Sequence, residues 1–198
     1  MKPRLYLASA SSYRAALLAR LGVEFATEVP GIDEAPVPGE TPREQALRLA
    51  RAKAAAVSAR VPEAWVLGSD QVAVCAGRIH EKPGDALRCR EQLRASSGQT
   101  VEFHTAVVLQ RRRPQAIHEH VDFTLVHFRA LAENEIARYV AIDRPFDCAG
   151  GFRSEGLGAT LLQSIETRDP ASLIGLPLIW VAQALREAGL DPLARAQP

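Results

Sequence analysis

Residues 100–109, TVEFHTAVVL, and residues 116–129, AIHEHVDFTLVHFR, largely alternate apolar with polar side chains. That period belongs to strands with one buried face. Arg111-Arg112-Arg113-Pro114 between them supplies the tip of a long antiparallel hairpin. Helical patterns precede and follow it. Long antiparallel strands mixed with helices indicate an α/β fold with a mixed sheet.

Upstream, Leu5 to Ala8 reads as a short buried strand. Ser9, Ser11 and Ser12 offer N-caps to a helix through about Arg20, closed by Gly22. Val23 to Val29 suggests a second strand and Pro30 to Gly39 a loop. Thr41-Pro42-Arg43-Glu44 has the form of a capping box with Pro at N1, opening a helix to about Arg60. Trp65 to Leu67 and Gln71 to Cys75 read as strand around Ser69-Asp70, followed by a tight turn at Ala76-Gly77-Arg78. Asp85 to Ala95 is helical. Beyond the hairpin come a short helix at Ala132 to Ile142 and a Gly-, Pro- and polar-rich loop from Arg144 to Gly158. A strand at Ala159 to Ile165 and a helix at Leu176 to Ala188, ended by Gly189, complete the order. Asp191 to Pro198 reads as a frayed end.

The 198 residues suit one domain, or one domain folded as two lobes. A composition 47% hydrophobic and 24% charged supports a sizeable core and argues against disorder. The net charge is +1, from 24 basic and 23 acidic residues, which argues against a protein that coats nucleic acid or an anionic membrane. Cys75, Cys89 and Cys148 form no CxxC pair, so neither a zinc site nor a disulfide framework is supported, and a reducing compartment fits. Met1-Lys2-Pro3-Arg4 is basic, but the apolar stretch after it is too short for a signal-peptide core. No run of about 18 apolar residues exists to span a membrane, so the expected compartment is the cytoplasm. Among the basic residues only Lys2, Lys53 and Lys82 are lysines. Each raises the question of why arginine was not used, and for any single one chance is an answer.

No GxxxxGK[ST] and no GxGxxG occurs, so P-loop and Rossmann readings fail. The polar residues at element ends each admit two readings. The serines between strand and helix either cap the helix or, with its N-terminal N–H groups, cradle an anion. Arg14 in the first turn has the wrong sign for the helix dipole, which a bound phosphate would compensate. Asp70, amid strand residues, is paired, solvated in a cleft, metal-bound, or placed at a bulge capping a neighbour. Asp33-Glu34 suits a solvated loop or a hard cation such as Mg²⁺. Lys53 in its helix and Lys82 before Pro83-Gly84 suit solvated charges or functional cations. The run from Phe146 to Gly158, with four glycines, is a mobile connector or a place where backbone approaches a ligand. His118 and His120 share a strand face without a third ligand. The Arg111 to Arg113 tip is a solvated turn that could touch RNA, but no stacking motif joins it.

In their order and spacing these pieces resemble the Maf family of nucleoside triphosphate pyrophosphatases, from Leu5 to about Leu193. The resemblance rests on Leu7-Ala8-Ser9-Ala10-Ser11 through Arg14, Asp33-Glu34, Arg48 through Lys53-Ala54, and Gly68-Ser69-Asp70-Gln71-Val72. It continues through Lys82-Pro83, Ser97-Gly98, Asp147-Cys148-Ala149-Gly150 and Ile174-Gly175-Leu176-Pro177-Leu178. Within the family it is nearest to the branch preferring 7-methyl-GTP. Tyr13 stands where the dTTP/UTP branch has Arg, Gln71 where that branch has Thr, and Glu155 where it has Gln. Ser12 departs from the family, which usually has Pro there to fix the helix's first turn.

The resemblance implies a single domain over residues 1–198, folded as two lobes around a cleft, with a twisted mixed sheet flanked by helices. It implies hydrolysis of 7-methyl-GTP to 7-methyl-GMP and diphosphate with a divalent metal cation, Mg²⁺ or Mn²⁺. Asp70, Glu34, Lys53 and Lys82 are the implied catalytic set, with Glu34 and Asp70 on the metal. Ser9, Ser11 and Arg14 would grip the phosphates. Tyr13, Gln71 and Glu155 would read the base: an aromatic face attracts the cationic methylated ring, and a carboxylate accepts guanine's N1–H and 2-amino hydrogens. The implied partner is the nucleotide, with a homodimer also expected, and neither nucleic acid nor membrane. Other activities implied by the resemblance are hydrolysis of dTTP, UTP or another modified nucleotide, and a nucleotide-binding role in regulating septum formation.

Overall fold

The computed structural model describes residues 4–194. Lys2 and most of the basic start, together with residues 195–198 of the expected frayed end, lie outside the described residues. Strand β1 (Leu5–Ala8) leads into helix α1 (Ser12–Ala19), whose N-cap Ser11 accepts the Arg14 N–H at 3.4 Å. Strand β2 is only Ala26–Thr27, shorter than the period suggests. Its register pairs Tyr6 with Ala26 and Leu7 with Thr27, while Val23 turns into the apolar core and Val29 is exposed. Helix α2 (Pro42–Arg60) opens on the expected capping box: Glu44 N–H donates to Thr41 Oγ1 at 3.3 Å, and Thr41 N–H donates to Glu44 Oε2 at 2.9 Å.

Strand β3 (Trp65–Cys75) runs unbroken through Ser69-Asp70, and strand β4 (Arg78–Ile79) pairs back onto it where the sequence suggests only a turn. Helix α3 (Ala86–Ser96) precedes the long hairpin of β5 (Thr100–Arg111) and β6 (Ala116–Phe128). Helix α4 (Glu133–Asp143), two 3-10 turns (Ala149–Gly151 and Leu157–Leu161), strand β7 (Leu162–Thr167) and helix α5 (Leu178–Glu187) follow. Strand β7 starts later than the expected Ala159. Thr160 Oγ1 donates to Leu157 O at 2.7 Å, a local bond that keeps this stretch turned rather than extended.

The strand order is β2-β1-β3-β5-β6-β7, with β4 beside β3. β1 is parallel to β2 and β3, whereas β4 and β7 are antiparallel to their partners, so the sheet is mixed as expected. No helix among the described residues is long and apolar enough to cross a membrane.

The chain divides into two compact units. The first takes the chain through Asp70, Thr105–Asp122, and everything from Asp169 on. Its core gathers Leu5, Leu7, Leu18, Leu67, Leu109 and Leu185, all almost fully buried. The second unit takes Gln71–His104 and Phe123–Arg168. There Phe152 meets Phe103 and Phe128 edge-on, with ring centroids 5.9 and 5.1 Å apart.

In the first unit α2 lies against β3 with no room for a side chain between them. A Cβ on Gly68 would stand 2.4 Å from Ala50 O and 2.7 Å from Ala54 N. Ala46, Ala50 and Ala54, one helical turn apart, line that face of α2 and are fully buried. Small residues on the helix and none on the strand set the distance at which Lys53 meets β3. Gly68→Ala must therefore push backbone from backbone, at about 1–3 kcal/mol of stability. Urea unfolding measures this, and an unchanged midpoint would show the contact to be slack.

Candidate active site

Lys53 leaves the buried face of α2 and ends between two carboxylates. Its Nζ is 2.6 Å from Asp70 Oδ1 and 3.0 Å from Glu34 Oε1. The Lys53 and Asp70 side chains are 8% and 10% exposed, while Glu34 is 55% exposed. Lys53 is thus not on a solvated helix face, and Asp70 does not cap a bulge. A carboxylate inside a strand is tolerable here because it is matched by a buried ammonium at hydrogen-bond distance.

Arg14 adds a second cation. Burial lowers its pKa, and the Asp70 and Glu34 charges push it back up. The residue as a whole is partly exposed, so it is the guanidinium end that is desolvated. Its Nε donates to Gly175 O at 3.0 Å. Ser69 Oγ lies 3.0 Å from the same carbonyl and 2.8 Å from Ala106 O, and its one proton can serve either. Gly175 has φ of +124°, and a Cβ there would stand 3.4 Å from Arg14 Nε. The backbone angle is what favours glycine there, and a Cβ would only touch the neighbouring guanidinium.

The segment carrying Gly175 is itself held by side chains. Thr105 Oγ1 donates to Ser172 O at 3.0 Å, and Ser172 Oγ donates to buried Asp122. Asp169 accepts the Ala171 N–H at 2.9 Å and the Ile179 N–H at 2.6 Å, capping α5 where Pro177 offers no side-chain cap.

The serine hydroxyls bond locally, and one of them is a cap. Ser9 Oγ accepts the Ser11 N–H at 3.1 Å, and Ser11 caps α1. Tyr13 is half-buried in the first turn beside Arg14. The structure therefore gathers Arg14, Glu34, Lys53 and Asp70, with Ser9, Ser11 and Tyr13 at the start of α1. Gln71, Lys82 and Glu155 belong to the second unit. Gln71 is half-buried in β3, and Lys82 and Glu155 are exposed. Glu155 Oε2 accepts from Ser154 Oγ at 3.2 Å. Sequence reading assigned no task to Gly68, Ser69 or Gly175. A glycine inside a strand is the one available signal, because it marks a close backbone approach.

Arg14 and Lys53 balance Asp70 and Glu34 in charge, so the cluster is neutral as a whole. Two carboxylates already converging on one cation are suitable oxygen donors for a hard divalent ion. Among the described residues no group of three or more His, Cys, Asp or Glu is placed to hold a metal.

Breaking the pair from one side tests its weight. Lys53→Met leaves Asp70 without its ammonium and should lower stability by about 3 kcal/mol. The double change Lys53→Met with Asp70→Leu should recover most of that loss. Equal unfolding midpoints for wild type and Lys53→Met would show that the pair carries no such weight.

Comparison with known proteins bears on this arrangement. The family profile described as Maf-like protein matches residues 4–188. A 7-methyl-GTP pyrophosphatase of Xanthomonas axonopodis pv. citri (strain 306) is 52% identical over 96% of this chain and 98% of its own length. One from Nitrosococcus oceani is 48% identical over 96% of both chains. Another from Aromatoleum aromaticum is 50% identical over 94% of this chain and 96% of its own. With the profile running through both units and the site residues, the chain belongs to the Maf family.

Proposed function

We propose that this protein hydrolyses 7-methyl-GTP to 7-methyl-GMP and diphosphate in the cytoplasm. The carrying observation is the buried Lys53 ammonium between Asp70 and Glu34, beside Arg14, in a chain about half identical to proteins named for that reaction.

Water attacks the α-phosphorus, the bond to the α–β bridging oxygen breaks, and diphosphate departs. Asp70 orients the water and takes its proton. Lys53 fixes the Asp70 carboxylate by its 2.6 Å contact and offers a compact charge to the phosphates. Arg14, held through Nε, presents its terminal nitrogens to phosphate oxygens. Ser9, Ser11 and the first N–H groups of α1 add donors to the phosphates, and Lys82 contributes a further phosphate contact. Glu34 and Asp70 would hold a divalent cation, Mg²⁺ or Mn²⁺, which would supply positive charge against the phosphates. For the base, Tyr13 offers an aromatic face to the cationic ring, Glu155 accepts its N1–H and 2-amino hydrogens, and Gln71 adds an amide contact.

Diphosphate release over a panel of nucleoside triphosphates, with Mg²⁺ and with Mn²⁺, tests the substrate. Faster turnover of dTTP or UTP than of 7-methyl-GTP overturns it while leaving the reaction class standing. Asp70→Asn should lower kcat by about 100-fold or more with little change in nucleotide binding. Near-normal turnover would remove Asp70 from the chemistry. Glu155→Gln should lower the preference for 7-methyl-GTP over other bases, read against ATP, about ten-fold. An unchanged preference would take Glu155 out of base reading.

A further inference from the structure

The segment that carries Glu155 is anchored by one pair of side chains on α4. Tyr139 and Asp143 lie one turn apart on that helix. The Tyr139 hydroxyl donates to Asp143 Oδ2 at 2.7 Å and accepts the backbone N–H of Arg153 at 3.0 Å. Asp143 Oδ1 is 3.6 Å from Arg153 Nη1. Arg153 is therefore held at its backbone by one member of the pair and at its guanidinium by the other. Its Nη2 also reaches Arg144 O at 3.4 Å and lies 3.9 Å from Asp147 Oδ1, which ties the two ends of the loop together.

The tether works only while the phenol keeps its proton, since it must donate to Asp143 while accepting from Arg153. Burial and the neighbouring Asp143 carboxylate raise the Tyr139 pKa further above its ordinary value, so the hydroxyl stays protonated. On the other side of Glu155 the backbone is packed as tightly. A Cβ on Gly158 would stand 2.2 Å from Arg153 O, so the chain doubles back directly onto Arg153. Glu155 sits between these two fixed points, two residues after the tethered amide and three before the packed glycine. Its own side chain is exposed and, among the described residues, bonded locally to Ser154. Its placement therefore comes from the backbone, and the backbone is placed by Tyr139.

We infer that Tyr139 is a positioning residue for substrate choice: with Asp143 it holds the Arg153 backbone and thereby sets where the Glu155 carboxylate stands. This rests on the proposed reading of Glu155 as the base-reading carboxylate and goes beyond it, because Tyr139 is buried and acts only through the loop. A mispositioned carboxylate keeps its charge but loses its paired acceptor geometry toward the two guanine donors.

The test is the ratio of kcat/KM for 7-methyl-GTP to that for ATP, whose base lacks both the N1–H and the 2-amino donors, in the full-length protein. A loss of folded enzyme lowers both values alike and leaves the ratio unchanged, so a merely structural role does not move it. Tyr139→Phe keeps the ring and removes the hydroxyl. It should lower the ratio about five-fold through KM for 7-methyl-GTP, with kcat nearly unchanged. Asp143→Asn, which keeps the shape but drops the charge facing Arg153, should lower the ratio in the same direction. Tyr139→Phe combined with Glu155→Gln should lower it no further than Glu155→Gln alone, because both act through one carboxylate. A wild-type ratio in both single variants, beside a lowered ratio in Glu155→Gln, overturns this inference alone. A wild-type enzyme without preference for 7-methyl-GTP, or a Glu155→Gln variant with its preference intact, overturns the reading of Glu155 and this inference with it.

Discussion

Asp70 is a carboxylate carried into the middle of a strand, and its surroundings follow from the cost of putting it there. An unpaired charge at that depth is expensive enough to forbid the strand. The chain meets the requirement with a lysine from α2, which can reach only if the helix lies almost in contact with β3. Gly68 on the strand and the Ala46, Ala50, Ala54 face on the helix provide that approach. Ion pair and backbone contact are thus one arrangement: the glycine sets the distance, and the charges make that distance worth holding. Glu34 then joins from a loop, so the ammonium ends in a three-membered cluster with one exposed side.

Much of the fold is legible in the amino-acid sequence because its signals are local. The capping box at Thr41 to Glu44, the period-two hairpin from Thr100 to Phe128 and the helix ends at glycine are decided by neighbours a few residues away. Where expectation and structure part, the deciding contact is distant or unusually short in range. Ser69 and Asp70 look like an interruption of β3 until Ala106, Gly175 and Lys53 supply their partners. Val23 to Val29 looks like a full strand, but the ladder with β1 engages only Ala26 and Thr27. Leu157 to Leu161 is turned by a threonine bonding the carbonyl three residues before it, which apolar patterning cannot register.

The site is legible in a different way. Residue type and position mark Asp70, Glu34, Lys53 and Arg14 as candidates, yet each leaves a bland alternative open, since pairing between residues 17 or more positions apart is a property of the fold. Family resemblance narrows the alternatives by the order of the motifs, and the geometry removes the bland ones for Lys53 and Asp70. The serines are the opposite case. Ser11 caps α1 and Ser9 holds the Ser11 N–H, as simple chemistry expects, and both bonds are compatible with phosphate binding because an anion would meet the remaining helix N–H groups and the dipole rather than the cap itself.

The scarcity of lysine can now be argued residue by residue. Lys53 must satisfy two carboxylates that arrive from separate segments, one buried and one exposed, at 2.6 and 3.0 Å from a single nitrogen. A compact ammonium with rotatable donors accepts partners from unrelated directions, whereas a planar guanidinium is matched to one carboxylate presented edge-on. The arginines show that preference: Arg48 forks onto Glu40 and Arg51 onto Glu119, each a single carboxylate engaged through two nitrogens. Arg14 is the instructive exception. Its Nε is spent on the Gly175 carbonyl, which fixes the plane of the guanidinium and leaves its far edge directed by that one bond. Point charge at the crossing of two segments and oriented fork beside it are different tasks, and in the first unit the sequence assigns them to lysine and arginine accordingly.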